Sequence, residues 1–204
     1  MSVVALFAAA SSSYAQGIIA FGNSTATTPI TYGGGANLGS RVFGASGTYE
    51  YGLYVGAAGA TTLSQMVLIQ TQLSLNATSA TATFAGVISG TATGQGNVGA
   101  ANGFAGLVAG TTYAFYVAGW THANGADYLS AVATGDSTGF AGLSALGSIV
   151  ATQSPTPNAQ AFGSGAGQIG GFALNPITST PEPGTLVLGG LGAASLLLFR
   201  RRKN

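Results

Sequence analysis

The stretch TYEYGLYV, residues 48–55, decides the fold of this chain. Successive side chains of a β-strand point to opposite faces of the sheet, so a strand here sorts its side chains into two sets. One set is Tyr49, Tyr51, Leu53 and Val55, and the other is Glu50, Gly52 and Tyr54. Aromatic and β-branched side chains favour a pleated sheet over a helix, where they lose rotamer freedom. The stretch therefore predicts a β-strand.

Residues 111–120 show the same alternation, with Tyr113, Phe115 and Val117 on one face and Ala114, Tyr116 and Ala118 on the other. Further short runs, separated by turn-forming Gly, Asn, Ser and Pro, predict strands over residues 17–22, 65–75, 80–88, 130–134, 146–152 and 168–174. The run 65–75 also fits a helical face through Met66, Ile69 and Leu73, but its Val-Leu-Ile core favours a strand.

Seven or eight short strands without a helical period between them predict an all-β fold, an antiparallel β-sandwich-like body over residues 16–175. Residues 90–110 and 154–167, rich in Gly, Asn, Thr and Pro, are predicted to be surface loops. A β-solenoid is a lesser alternative, because no fixed repeat of about 20 to 50 residues is found.

The charge and the cysteine content of the chain argue against several kinds of site and partner. The chain has no Cys, which excludes a disulfide framework and a thiolate metal site. The body contains one cationic side chain, Arg41, and three carboxylates, Glu50, Asp127 and Asp136, so its net charge is 1 − 3 = −2. A nucleic-acid binder needs clustered Lys and Arg to neutralise phosphates, so we expect no nucleic-acid partner.

Residues 1–15, MSVVALFAAASSSYA, resemble a secretion signal. An apolar run is followed by small residues, and cleavage is predicted between Ala15 and Gln16. No Lys or Arg precedes the apolar run, so we expect the full signal to begin upstream of Met1. The alternative is a first buried strand, which the matching features at the other end of the chain disfavour.

The C-terminal segment, residues 179–204, reads STPEPGTLVLGGLGAASLLLFRRRKN. A linker over 176–183 contains Pro181, Glu182 and Pro183, an uncharged run follows over 184–199, and a basic tail over 200–204 contains Arg200, Arg201, Arg202 and Lys203. As a helix the apolar run would measure roughly 24 Å, which is short against a hydrocarbon core of about 30 Å. With Pro183 or the stems of the flanking arginines included, it can cross a somewhat thinned bilayer. The basic cluster is predicted to stay in the cytoplasm as a stop-transfer signal. The alternative is a simple tail anchor or a buried hairpin helix.

This order of motif, short apolar stretch and basic end resembles the PEP-CTERM sorting signal of exported bacterial proteins. The resemblance implies that a membrane protease of the exosortase type recognises Pro181, Glu182 and Pro183. It also implies cutting near that motif, and delivery of the body to the cell surface or an extracellular matrix containing exopolysaccharide. The resemblance covers about an eighth of the chain.

Motifs for catalysis or cofactor binding are weak. Residues 94–99 match G-x-G-x-x-G, but no apolar strand precedes them and no amphipathic helix follows, so no nucleotide is expected. The sequence contains no G-x-S-x-G motif that could supply a serine nucleophile to His122. His122 is predicted to be a solvated residue beside an Asn124-Gly125 hairpin turn. Glu50, Asp127 and Asp136 are predicted to be solvated at strand ends. No cofactor is expected, and a weak Ca²⁺ contact at Asp127 or Asp136 is a lesser alternative.

The function predicted is that of an exported, non-enzymatic surface or matrix protein. One alternative is a carbohydrate-binding module with exposed aromatic side chains, for which the candidates are Tyr49, Tyr51, Tyr54, Tyr113, Tyr116 and Trp120. Packing of these side chains in the core is the favoured expectation. A secreted hydrolase is a second alternative and would need His122 joined to a carboxylate and a nucleophile.

Overall fold

The computed structural model describes residues 17–24, 26–88, 91–93, 106–153 and 156–178. Strands dominate these residues, which confirms the prediction of a sheet-rich body. The strands are β1 (Ile18–Ala20), β2 (Thr31–Tyr32), β3 (Tyr49–Ala57), β4 (Val67–Leu73), β5 (Thr91–Thr93), β6 (Thr112–Thr121), β7 (Phe140–Leu143), β8 (Gly147–Val150), β9 (Ala159–Gln160) and β10 (Ala173–Pro176), and the helix is α1 (Tyr128–Ala133).

The larger sheet of the described residues has seven strands in the order β2-β10-β7-β6-β3-β4, with β8 also paired to β6. Its centre is the antiparallel pair of β3 and β6, which runs from Tyr49 opposite Thr121 to Ala57 opposite Tyr113. Strands β7 and β8 pair with successive parts of β6. The two longest strands, β3 and β6, therefore form the central pair of the larger sheet, and the alternation of their side chains correctly predicted that both are strands.

Alternation along β3 and β6 supplies two separate cores, one on each face of the larger sheet. The first core contains Tyr51, Leu53 and Val55 from β3, with Phe115 and Val117 from β6. The second contains the side chains of opposite parity, Tyr54, Ala114, Ala118 and Trp120. Both faces of β3 are consequently buried, and the predicted division of its side chains into two sets is confirmed.

A smaller sheet has the order β5-β1-β9 among the described residues. Ile19 of β1 belongs to the same buried cluster as Leu53 and Phe115, so the two sheets share the first core. The prediction of wholly antiparallel pairing is wrong at two places, because β1 pairs with β9 and β2 pairs with β10 in parallel. Both pairs join strands far apart in sequence, and a long connection is what parallel pairing requires.

Helix α1 replaces the strand predicted over residues 130–134, and that prediction is wrong. Asp127 caps the helix, since its carboxylate accepts a hydrogen bond from the Ser130 backbone N–H at 2.8 Å, while the Ser130 hydroxyl accepts one from the Asp127 N–H. Such reciprocal capping satisfies donors that a first helical turn leaves free. Ala131 lies fully buried in the second core, so α1 covers that face of the sheet.

The strand predicted over residues 80–88 is also wrong, because the chain forms consecutive turns there. Gly86 adopts a φ of +67°, and an added Cβ would lie 2.4 Å from the carbonyl oxygen of Ile30. The glycine thus permits the backbone at Gly86 to approach the backbone at Ile30 closely. The Gly86 N–H donates to the Val42 carbonyl at 2.7 Å. Residues 85 and 88 are buried by this packing and not by a strand.

The remaining strand predictions are confirmed in part. Residues 65–75 contain β4, so the ambiguous run is a strand, and residues 17–22 and 146–152 contain β1 and β8. The strand predicted over residues 168–174 overlaps only the first two residues of β10. Strands β5 and β9 lie inside the two segments that were predicted to be loops, and β2 and β7 were not predicted. These four strands have two to four residues each, too few to show an alternation.

Candidate functional site

The C-terminal sorting segment follows directly after a firmly anchored end of the body. Strand β10 lies between β2 and β7 in the larger sheet. Beyond it, the Ile177 N–H donates to the Gly139 carbonyl at 2.9 Å, and the Ile177 side chain is buried in the second core. Among the described residues, Ile177 is the last with a buried side chain, and Pro181 follows it by four residues in the sequence.

The residues predicted for sorting and export lie outside the described part of the chain. They are Pro181, Glu182, Pro183, Arg200, Arg201, Arg202, Lys203, Ala15 and Gln16. The predicted signal segment 1–15 and the predicted transmembrane helix 184–199 also lie outside it. No helix within the described ranges is long and apolar enough to span a membrane.

Within the body, the structure brings together one carboxylate and the histidine. His122 Nδ1 lies 2.8 Å from Glu50 Oε2, across a sequence separation of 72 residues. The Glu50 side chain is 11% exposed and the His122 side chain 51% exposed. Glu50 lies near the start of β3, as predicted, but the prediction that it is solvated is wrong, because β3 is an inner strand of the sheet and Glu50 is buried. The prediction of a solvated histidine holds in part, because the His122 side chain is half-exposed while its Nδ1 contacts Glu50.

Pairing of β3 with β6 positions the Glu50–His122 pair. Glu50 lies opposite Trp120 in β6 and opposite Leu73 in β4. The chain then continues past β6 with the same register, since the His122 N–H donates to the Thr48 carbonyl at 3.0 Å. The histidine begins a 3-10 turn, His122–Asn124, which leads to α1, so the predicted Asn124-Gly125 hairpin is wrong.

Trp120, which lies opposite Glu50, and Tyr54 belong to the second core. Trp120 is fully buried and its indole N–H donates to the Gly125 carbonyl at 2.9 Å. The Tyr54 hydroxyl accepts a hydrogen bond from the Tyr128 N–H at 3.0 Å. Burial, with smaller contributions from the charges of Asp127 and Glu50, raises the pKa of Tyr54 to about 12. These contacts join β3, β6 and α1 into one packed layer.

The chemistry available to the pair is limited. A carboxylate that accepts from Nδ1–H orients an imidazole and leaves Nε2 free to accept a proton, as in a catalytic triad. A triad also needs a nucleophile, and among the described residues no hydroxyl is hydrogen-bonded to His122. The pair therefore meets one requirement of the hydrolase alternative and lacks the other.

The other two body carboxylates are engaged in local structure. Asp127 caps α1. Asp136 Oδ1 accepts hydrogen bonds from the Thr138 N–H at 2.9 Å and the Thr138 hydroxyl at 2.8 Å, and these bonds lower the pKa of Asp136. Within the described ranges, His, Asp and Glu form no group of three that could hold a metal ion.

The carbohydrate-binding alternative predicted a row of exposed aromatic side chains, and this prediction is wrong. The favoured expectation, that these side chains pack in the core, is confirmed. Five of the six candidates are buried in the two cores and Tyr116 is half-buried, its hydroxyl donating to the Thr61 carbonyl at 2.9 Å. Tyr32 and Tyr49 are hydrogen-bonded to each other inside the first core. Burial also raises the pKa of Tyr49 and Tyr51, which the Tyr32–Tyr49 contact reinforces for Tyr49.

A cleft of about 650 Å³ lies between β8, β9 and the turn that follows β9. Its polar side chains are those of Thr112, Ser148, Gln160 and Gln168, and none of the described residues that line it is charged or aromatic. Both polar atoms of the Gln168 side-chain amide make internal hydrogen bonds, since Oε1 accepts from the Gly165 N–H at 2.8 Å and Nε2 donates to the Gln160 carbonyl at 3.0 Å. These bonds fix the Gln168 side chain against the wall of the cleft.

Comparisons with known proteins bear on the C-terminal segment. The comparisons with curated proteins and with solved structures found no match. The family model of the PEP-CTERM protein-sorting motif matches residues 179–203, which confirms the resemblance inferred from the Pro-Glu-Pro motif, the apolar run and the basic cluster. The motif indicates an exported protein with a sorting signal, and exosortase-type processing as its general kind of partner. This chain therefore carries the PEP-CTERM protein-sorting motif of exported proteins over its C-terminal segment.

Proposed function

We propose that this protein is a non-enzymatic component of the cell surface or extracellular matrix, held in the membrane through residues 184–199 until a protease cuts near Pro181–Pro183. The observation that carries the proposal is the match of residues 179–203 to the sorting motif. Recognition falls to Pro181, Glu182 and Pro183, whereas the four cations from Arg200 to Lys203 keep the end of the chain in the cytoplasm.

The body supports release by cutting near the motif. Among the described residues, β10 ends at Pro176 and Ile177 is the last buried side chain, so the motif follows both of them in the sequence. Cutting at 181–183 therefore leaves every described strand in place. The released body has a net charge of −2 before any contribution from Glu182, with four of the five cations removed with the tail.

A non-enzymatic role is supported by the structural hydrogen bonds that the ionisable side chains of the body make. Glu50 and His122 are paired, Asp127 caps a helix and Asp136 closes a turn. Association with exopolysaccharide rests on the family resemblance of the tail. The burial of the aromatic side chains gives no support to carbohydrate binding through stacking.

The test is to replace Pro181, Glu182 and Pro183 with alanine and to follow the mass and location of the protein in a producing bacterium. The expected result is accumulation of the unprocessed form in the membrane fraction and loss of the released form. The chain offers a matched control in Pro155, Thr156 and Pro157, a second Pro-x-Pro sequence, which is replaced with alanine in the same way.

The control variant should be processed and released like the wild type. Unchanged mass and unchanged release of the Pro181→Ala/Glu182→Ala/Pro183→Ala variant would contradict the sorting proposal. Mass spectrometry of the released wild-type protein identifies both of its ends and tests cleavage between Ala15 and Gln16 in the same experiment.

A further inference from the structure

Two surface segments flank the point where the chain leaves the body toward the sorting segment. Strand β10 ends at Pro176, and Ile177 belongs to the second core together with Ala131 of α1. On the β2 side of β10, the turn over residues 33–39 lies against the end of the strand, since a Cβ added at Gly34 would lie 2.8 Å from Pro176 Cδ. Helix α1 and the turn 33–39 are therefore both neighbours of the exit point.

Both flanking segments expose large apolar side chains. Leu38 of the turn is 68% exposed, and Leu129 and Val132 of α1 are 57% and 41% exposed. Leu38 and Leu129 are the two most exposed large apolar side chains among the described residues. A helix that packs one face against a core normally carries polar side chains on the opposite face, whereas α1 buries Ala131 and exposes Leu129 and Val132. We call Leu38, Leu129 and Val132 the exit surface.

The charges near the exit surface do not select a charged partner. Asp127 and Asp136 lie before and after α1, and both carboxylates accept hydrogen bonds from neighbouring residues. Arg41 follows the turn 33–39 and forms a backbone bridge with Thr31. Recognition of anionic headgroups needs clustered Lys and Arg, which this part of the body lacks among the described residues. Any attraction at the exit surface therefore comes from apolar contact.

The sorting segment brings one apolar partner within reach of the exit surface. The uncharged run 184–199 begins seven residues after Ile177, and a chain of that length spans at most about 25 Å when fully extended. The exit point of the body consequently stays within this distance of a bilayer that holds residues 184–199. A short tether raises the effective concentration of the exit surface at the bilayer, so a weak contact is sufficient.

We propose that the exit surface contacts the lipid bilayer in the membrane-held protein, with Leu38, Leu129 and Val132 in the headgroup region. The inference rests on the proposed function, because it requires residues 184–199 to anchor the chain. It adds an orientation, in which the larger sheet stands on the bilayer and the end where β8 pairs with the beginning of β6 points away. Cutting near Pro181–Pro183 removes the tether and with it the contact.

The test uses single labelled cysteines, since the chain has none of its own. Ala133→Cys, at the exposed end of α1, and Thr111→Cys, exposed before β6 and about 30 Å along that strand from Thr121, are made in the full-length protein. Each variant is labelled with a nitrobenzoxadiazole dye and reconstituted, uncut, into phosphatidylcholine vesicles whose lipid carries a nitroxide quencher. We expect quenching from Ala133→Cys to be about threefold greater than from Thr111→Cys.

A second set of variants separates contact from mere nearness to the bilayer. Leu38→Asn, Leu129→Gln and Val132→Thr are added to Ala133→Cys and should lower its quenching about threefold. The matched control adds Leu146→Gln and Val150→Thr, two exposed apolar positions at β8, and should leave the quenching unchanged. The emission of Trp120 verifies that each variant is folded.

Flotation of the vesicles distinguishes failure of this inference from failure of the proposed function. Protein that does not float with the vesicles would contradict anchoring by residues 184–199 and the bilayer contact together. Protein that floats, but is quenched equally from Ala133→Cys and Thr111→Cys, would overturn the contact alone and leave the exit surface to a protein partner. Quenching that the three exit-surface substitutions leave unchanged would overturn it as well.

Discussion

Replacement of His122 with alanine tests the view that the Glu50–His122 pair is structural. The Glu50 carboxylate is 11% exposed and accepts from His122 Nδ1 at 2.8 Å. Its cross-strand neighbours are Trp120 and Leu73, which offer no side-chain donor to it. Loss of the imidazole therefore leaves a largely buried carboxylate without a hydrogen-bond partner from the described side chains.

The magnitude follows from the burial of both partners. A buried acceptor left without a partner costs about 1–3 kcal/mol, and more if it is charged. Because His122 is half-exposed, water can reach the vacated position and offset part of this cost. We expect a loss of about 1–2 kcal/mol, which lowers the unfolding temperature by about 2–8 °C for a domain of this size.

Thermal unfolding followed by the fluorescence of Trp120 measures this change. Trp120 is the single tryptophan of the chain and is fully buried beside the pair, so its emission reports on the body alone. His122→Asn keeps a side-chain N–H near the position of Nδ1 and should remain within about 0.5 kcal/mol of the wild type. An unfolding temperature of His122→Ala equal to that of the wild type would refute the structural role of the pair.

Two further predictions concern the second core. Gly52→Ala places a methyl group 2.6 Å from Leu68 Cδ1 and 3.0 Å from the Trp120 ring, and we expect a loss of about 1–3 kcal/mol in urea unfolding. Gly59→Ala, which meets nothing within 4 Å, should change stability far less, and equal effects would contradict the packing. Because burial raises the pKa of Tyr54 from 10.0 to about 12, its contribution to stability is complete below pH 10 and is lost as the pH rises toward 12. The unfolding temperature should therefore fall over this range, and Tyr54→Phe should make the fall less steep; an identical pH dependence would contradict the contribution of Tyr54.

Much of the sheet could be predicted from the sequence where strands are long. Along β3 and β6, alternation sorts the side chains into the two cores that the structure contains. A strand of two or three residues has no alternation to read, which is why β2, β5 and β9 were not predicted. Residues 130–134 have strand-like composition, but the cap at Asp127 and the burial of Ala131 favour a helix.

The Glu50–His122 pair could not be predicted because its partners are 72 residues apart. Glu50 stands on β3 beside Gly52 and Tyr54, and His122 follows β6, but only strand pairing shows that these two elements are neighbours. The same holds for the position of β4 as the last strand of the larger sheet among the described residues, which depends on the order of strands in the sheet.

By itself, the sequence determined the β-rich character of the body and the sorting motif at its C-terminal end. Both depend on residues that are neighbours along the chain: the alternation along a strand and the order of Pro-Glu-Pro, apolar run and cations. Only the tertiary structure decided that Glu50 meets His122 and that β4 is the last strand of the larger sheet among the described residues. These features depend on contacts between distant segments, which local propensity does not specify.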